Sequence, residues 1–179
     1  AFNQQPYIGL WNLSCLAQTL LPFAPKEELK AALDGYQTSV DRHYHHHMRA
    51  KLGLVEDRAD DEALLQELKS LMVGSRVDYT IFWRELSTFS SSSDGAMNDR
   101  LREHFLSPDR FDAWAVRYRD RLRMEHSHDG ERCDRMNRVN PKYVLRNYLA
   151  QTAIEKAQRK DFSEIGRLFT LLQNPFTDQ

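Results

Sequence analysis

MNRVNPKYVLRNYLAQ, Met136 to Gln151, carries the sharpest helix-start signal in the 179-residue chain. Asn140 is placed to cap a helix by accepting a first-turn N–H. Pro141 suits the first helical position, where its missing N–H would be unpaired anyway. Val144, Leu145, Tyr148, Leu149 and Thr152/Ala153 then recur at helical spacing, which predicts an apolar stripe facing a core. The reading is a well-capped, buried helix in a helical protein. It names no chemistry.

Working outward, the same period recurs along most of the chain. Ala1 to Gly9 reads as extended, because Pro6 biases Gln5 towards β or polyproline geometry. Leu13, Leu16, Ala17, Leu20 and Leu21 mark one face of a helix that Pro22 ends. Pro25 opens a second helix with Leu29, Leu33, Tyr36, Val40, His43 or Tyr44, and His47 along it. Gly53 closes it, with Leu54 placed for the apolar contact of a glycine C-cap. The acidic run Asp57 to Glu62 starts a third helix, where negative charge suits the dipole. Its buried face is Leu64, Leu65, Leu68, Leu71 and Met72.

Asp78 is expected to cap a helix with Tyr79, Phe82, Trp83, Leu86 and Phe89. Ser90 to Gly95 reads as a flexible loop. A short helix follows with Leu101, Phe105 and Leu106. Ser107 (cap) and Pro108 start a longer one with Phe111, Trp114, Ala115, Tyr118 and Leu122. His126 to Glu131 reads as loop. Asp161 with Glu164 resembles a capping box for a last helix with Ile165, Leu168, Phe169 and Leu172. No alternating strand and no internal repeat stands out. The expectation is an all-α fold of about eight helices in a single domain, 1–179.

Composition agrees and excludes several classes. Seven glycines and six prolines are few for a turn-rich β fold, and 41% apolar with 28% charged residues is ordinary for a globular chain. Such a length buries roughly 70% of the unfolded surface. The net charge of −1 argues against wholesale attraction to nucleic acid or membranes. No apolar run approaches the ~18 residues of a membrane span. Cys15 and Cys133 are isolated and form no disulfide framework, which points to a reducing compartment. The chain begins at Ala1 rather than Met and is read as part of a longer protein.

Four groups of side chains invite a chemical reading. His43 and His47 are four apart on one helical face and could share a metal ion, with a third ligand from elsewhere. A solvated polar face is the plainer account. His126, His128 and Cys133 match no structural zinc spacing. Arg100 to Arg146 holds an excess of Arg, including Arg117, Arg119, Arg121 and Arg123. That stripe would suit phosphates or an internally paired helix face. Arg146 reads as an internal strut paired with a carboxylate. No glycine-rich phosphate loop and no nucleophile elbow is present.

QPYIGLWNLSCLAQTLLPF (Gln5 to Phe23), NPKYVLRNYLAQTAIEKA (Asn140 to Ala157) and DFSEIGRLFTLLQNPF (Asp161 to Phe176) resemble the SelO family, also called YdiU. MRAKLGL (Met48 to Leu54), DYTIFWREL (Asp78 to Leu86) and the aromatic pattern from Phe111 to Leu122 fit it in the same order. The resemblance implies a protein-kinase-like fold that transfers AMP from ATP to Ser, Thr or Tyr of proteins, with magnesium or manganese. It also implies that the nucleotide clamp, catalytic Asp and metal ligands lie upstream of Gln5. No catalytic, cofactor-binding or metal-binding residue is therefore assigned here. Cys15 and Cys133 do not match the family's redox-active C-terminus. The implied role is the end of a kinase-like large lobe plus a helical C-terminal extension, inactive alone.

The implied partners are the upstream catalytic half and the parent's protein substrates, with no membrane and no nucleic acid. A homodimer through uncovered apolar surface on the first helix is also open. Trp11 and Leu13 are expected to face the missing half. The implied location is the bacterial cytoplasm. The competing reading is an autonomous helical module binding protein or nucleic acid through Arg100 to Arg146.

Overall fold

A computed structural model describes residues 4–92 and 98–177. Ala1 to Asn3, and Ser93 to Gly95 of the expected serine loop, lie outside the described residues. The described residues form nine helices and no strand: α1 Gln5–Leu20, α2 Lys26–Lys51, α3 Asp61–Gly74, α4 Tyr79–Leu86, α5 Asp99–Arg102, α6 Pro108–Met124, α7 Asp129–Val139, α8 Asn147–Gln158 and α9 Ser163–Gln173. The fold is all-α, as the spacing predicts. The chain divides into two compact units, Ala1–His47 and Met48–Gln179.

In the first unit, Gln5 to Gly9 is helical rather than extended. Pro6 sits in the first turn, where its ring and absent N–H cost nothing. The helix α1 buries no residue. The face that spacing marks is mostly open. Leu13, Leu16, Leu20 and Leu21 are exposed, and Leu10, Ser14 and Ala17 are half-buried. Tyr36 of α2 reaches α1, donating its hydroxyl to Pro6 O at 3.1 Å. Leu29, Leu33, Tyr36 and Val40 of α2 are half-buried, whereas His43, Tyr44 and His47 are exposed.

The second unit holds the core. At the C-terminus of α2, Gly53 adopts φ +72°. Its N–H donates to Ala50 O (3.0 Å), and Leu54 N–H donates to Arg49 O (3.0 Å). That is a Schellman closure, with Leu54 buried beneath it. All five predicted apolar residues of α3 are buried, together with Asp61. Asp78 caps α4 by accepting Ile81 N–H at 3.0 Å.

An aromatic column runs along α6. Phe105 stacks on Phe111 (4.7 Å), Phe111 on Trp114 (5.7 Å) and Trp114 on Tyr118 (4.9 Å), with Phe89 tilted against Tyr118 (4.9 Å). Both polar tips find acceptors. Trp114 Nε1–H donates to Leu64 O at 2.9 Å, and the Tyr118 hydroxyl donates to Leu52 O at 2.6 Å. The rings fill space while their polar atoms tie α6 to α3 and to the end of α2.

Several local expectations fail here. Asn140 caps no helix start; it follows the end of α7, its N–H donating to Met136 O at 2.7 Å. Pro141 to Arg146 is non-helical, and α8 begins at Asn147. The expected buried stripe of that helix reduces to Ala153, with Leu145 and Tyr148 exposed. The loop expected to run to Glu131 gives way to α7 at Asp129. In α9, which starts at Ser163, only Leu168 of the predicted face is buried. Asp161 accepts Ser163 N–H at 3.0 Å, but Glu164 pairs with Lys156 and Arg167 and closes no capping box. Phe105 and Leu106, expected in a short helix with Leu101, lie beyond the single turn of α5, and Leu106 is exposed.

Candidate functional site

The charged residues of the second unit are used up on one another. Arg121 is buried, with Nε donating to Asp61 (2.5 Å), Nη1 to Glu125 (3.0 Å) and Nη2 to Glu56 O (2.8 Å). Burial works against its charge, and the two carboxylates outweigh that and hold its pKa above the usual value. Glu125 in turn accepts the N–H groups of Val55 and Glu56, at 3.2 Å each. The network fixes the loop after α2 against α6.

A second network surrounds Arg132, which is fully buried on α7. Its guanidinium donates to Phe89 O and to Asp129 (2.7 Å). Asp129 also accepts from Ser91 N–H (3.0 Å) and Oγ (2.5 Å). Desolvation raises the Asp129 pKa, but these donors win and leave it below the usual range. Ser90 is buried and exchanges two hydrogen bonds with Asn98, at 2.8 and 3.1 Å. The first serines of the expected flexible loop are therefore anchored.

A third network explains Asn140. Fully buried, it donates Nδ2 to Lys51 O (3.0 Å) and accepts Lys51 Nζ at Oδ1 (3.0 Å). Its carbonyl accepts from Arg84 Nη1 at 3.2 Å. The Lys51 ammonium lies 5.8 Å from the Tyr79 ring and 5.7 Å from the Trp83 ring. Burial lowers the Lys51 pKa. Arg146 is the expected strut, forming a two-pronged pair with Asp78 at 2.7 and 2.9 Å. That pairing, chiefly the Arg146 hydrogen bond, depresses the Asp78 pKa.

Much of the Arg-rich segment is paired within the chain. Arg102 pairs with Asp112 (3.0 Å), Arg117 with Glu67 and Arg123 with Asp120 (3.6 Å), beside the pairs of Arg121, Arg132 and Arg146. Arg119, which spacing groups with the stripe, is buried over the Phe89 ring at 5.9 Å. His43 makes a 2.7 Å hydrogen bond with Ser39 O. Among the described residues no three His, Cys, Asp or Glu side chains gather to hold a metal ion, at His43 and His47 or at His126, His128 and Cys133. Cys15 is exposed, and Cys133 is half-buried beside Ser87 Oγ (3.7 Å). Among the described residues no helix is long and apolar enough to cross a membrane.

The largest uncovered feature of the first unit is apolar. Helix α1 carries no charged side chain along its 16 residues, yet Tyr7, Ile8, Trp11, Leu13, Leu16 and Leu20 are all exposed, Trp11 at 60%. A helix apolar on every side is ordinarily an interior helix. The candidate functional site of the first unit is therefore an interface. The spacing stripe included Leu13, Leu16 and Leu20 but not Trp11, which only the family resemblance singled out.

Comparison with known proteins gives the family. The family described as protein adenylyltransferase SelO matches residues 1–173. The protein nucleotidyltransferase YdiU of Myxococcus xanthus (strain DK1622) is 51% identical over 99% of this chain and 36% of its own length. Its namesake from Thioalkalivibrio sulfidiphilus (strain HL-EbGR7) is 49% identical over 100% of this chain and 37% of its own. That of Cupriavidus metallidurans is 43% identical over 100% and 35%. The chain spans little more than a third of these relatives. With an all-helical fold, internally paired charges and an uncovered apolar helix, it belongs to the SelO family of protein adenylyltransferases.

Proposed function

We propose that residues 1–179 are the C-terminal helical domain of a SelO-like protein adenylyltransferase, which moves AMP from ATP to Ser, Thr or Tyr hydroxyls of other proteins. In this reading the chain is inactive alone and supports the catalytic region of the parent from behind. The observation that carries it is α1, an uncharged helix with no buried residue in a chain matching a third of its relatives. Exposed apolar surface of that kind is rarely left open.

The described residues do not fit an ATP–magnesium site, since no three potential metal ligands gather among them. Phosphoryl-group transfer needs metal ligands and donors converging on the phosphates. Here the carboxylates Asp61, Glu125, Asp129 and Asp78 are each committed to arginines. We assign ATP, magnesium or manganese, and the protein substrates to the parent, and its location to the bacterial cytoplasm. The pairing of the arginines favours this reading over a nucleic-acid-binding module.

The test uses the full-length parent beside residues 1–179, each incubated with magnesium and ATP labelled at the α- or the γ-phosphate. Label from the α position on protein, in the parent alone, is the expected result. Label from the γ position would make the parent a kinase. Label in residues 1–179 alone would place an active site here and overturn the reading.

A further inference from the structure

The last two helices leave a second apolar surface, within the second unit and separate in sequence from α1. They pack on each other, and α8 buries only Ala153 and α9 only Leu168. Two backbone hydrogen bonds fasten the hairpin's ends, with Lys142 and Tyr143 N–H donating to Pro175 O at 2.8 and 3.1 Å. The Arg146–Asp78 pair joins its start to α4. On α9, Phe162, Ile165 and Phe169 recur at helical spacing and are exposed, the two Phe at 61% and 65%. On α8, Tyr148 is 68% exposed. It lines an open groove of about 660 Å³ with Leu145 and Ile81.

We propose that the apolar face of the α8–α9 hairpin is a docking surface for an uncharged segment of the same polypeptide lying outside residues 1–179. This rests on the reading that the chain is one portion of a full-length adenylyltransferase. Three observations select that occupant. The sequence spacing of α9 is that of a buried helix, and two of the four residues it selects, Ile165 and Phe169, are open. The charged pair of the groove, Arg146 with Asp78, is mutually neutralised, so the groove favours a neutral, apolar guest. Nearly two thirds of the relatives' length lies outside the matched region. A tethered segment competes at an effective concentration on the order of millimolar, which a second copy does not reach.

Hydroxyl-radical footprinting read by mass spectrometry tests the surface side chain by side chain, on the full-length protein and on residues 1–179. Tyr148, Phe162 and Phe169 are expected to label roughly fivefold less in the full-length protein, as interface-core burial requires. Leu106 and Met124, both exposed on the second unit, serve as unchanged references. Equal labelling of the hairpin with Trp11 protected would overturn this surface while leaving the proposed function standing. Equal labelling of both would overturn the two together. Protection in residues 1–179 that grows with concentration would identify a second copy as the occupant and overturn the proposal. As an independent check, Phe169→Asp is expected to lower the melting temperature of the full-length protein and leave that of residues 1–179 unchanged; equal shifts would count against it.

Discussion

The region around α3 and α6 and the two helical ends solve opposite problems. In the former, large apolar side chains are inside, and the buried Arg121 and Arg132 each meet a carboxylate. Trp114 and Tyr118 are fully buried with their polar atoms satisfied. In α1 and in α8–α9 the large apolar side chains are outside and little is buried. The difference separates two uses of hydrophobic spacing. Around α6 it builds a self-sufficient core. At the ends it leaves apolar faces open, which we propose are covered in the full-length protein.

The comparison is broken most severely at Arg121. Arg121→Met leaves Asp61 and Glu125 buried without their cation, which costs about 3–5 kcal/mol. Thermal or urea unfolding of residues 1–179 is expected to show that loss; a change within experimental error would mean the network is not structural. Gly53→Ala comes next. An added Cβ would lie 2.5 Å from Arg132 Cγ and 2.8 Å from Met136 Sδ, at a positive φ. The expected cost is about 1–3 kcal/mol, seen as a lower urea midpoint.

The Arg146–Asp78 pair is half-open to solvent, so Arg146→Ala is expected to cost about 1 kcal/mol at neutral pH. Its pH dependence has a definite sign. The folded-state pKa of Asp78 lies below its unfolded value. Its contribution is therefore full above the ordinary carboxylate pKa and is lost as pH falls through the folded value. Asp78→Asn is expected to flatten the acid limb of a stability–pH curve, and an unchanged limb would assign it to other groups. The smallest effect belongs to the open faces. Leu16→Ser in residues 1–179 alone is expected to stay within about 0.5 kcal/mol. A larger loss would show that α1 is already buried in that chain.

Much of the core was legible. The α3 stripe, the Asp78 cap and the Gly53 closure follow from spacing and from backbone rules that act locally. Asn140 and Pro141 misled because both residue types mark helix ends as well as starts. What decides between them is Lys51, far away in sequence, which occupies the Asn140 side chain. Helix α7 was hidden because its two buried residues are Arg132 and Met136, and an arginine does not read as interior. Within α1 the absence of charge removes the polar face against which a stripe is recognised. The exposed face was readable only as a surplus of apolar residues.

The most direct measurement is AMP transfer by the full-length protein carrying Trp11→Glu and Leu16→Glu on α1, beside one carrying Leu106→Glu and Val116→Glu on the exposed surface of the second unit. Loss of transfer and a lower melting temperature in the α1 variant, with both retained in the other, is the result expected if the first helix supports the catalytic region. Unchanged transfer and melting in the α1 variant would contradict it.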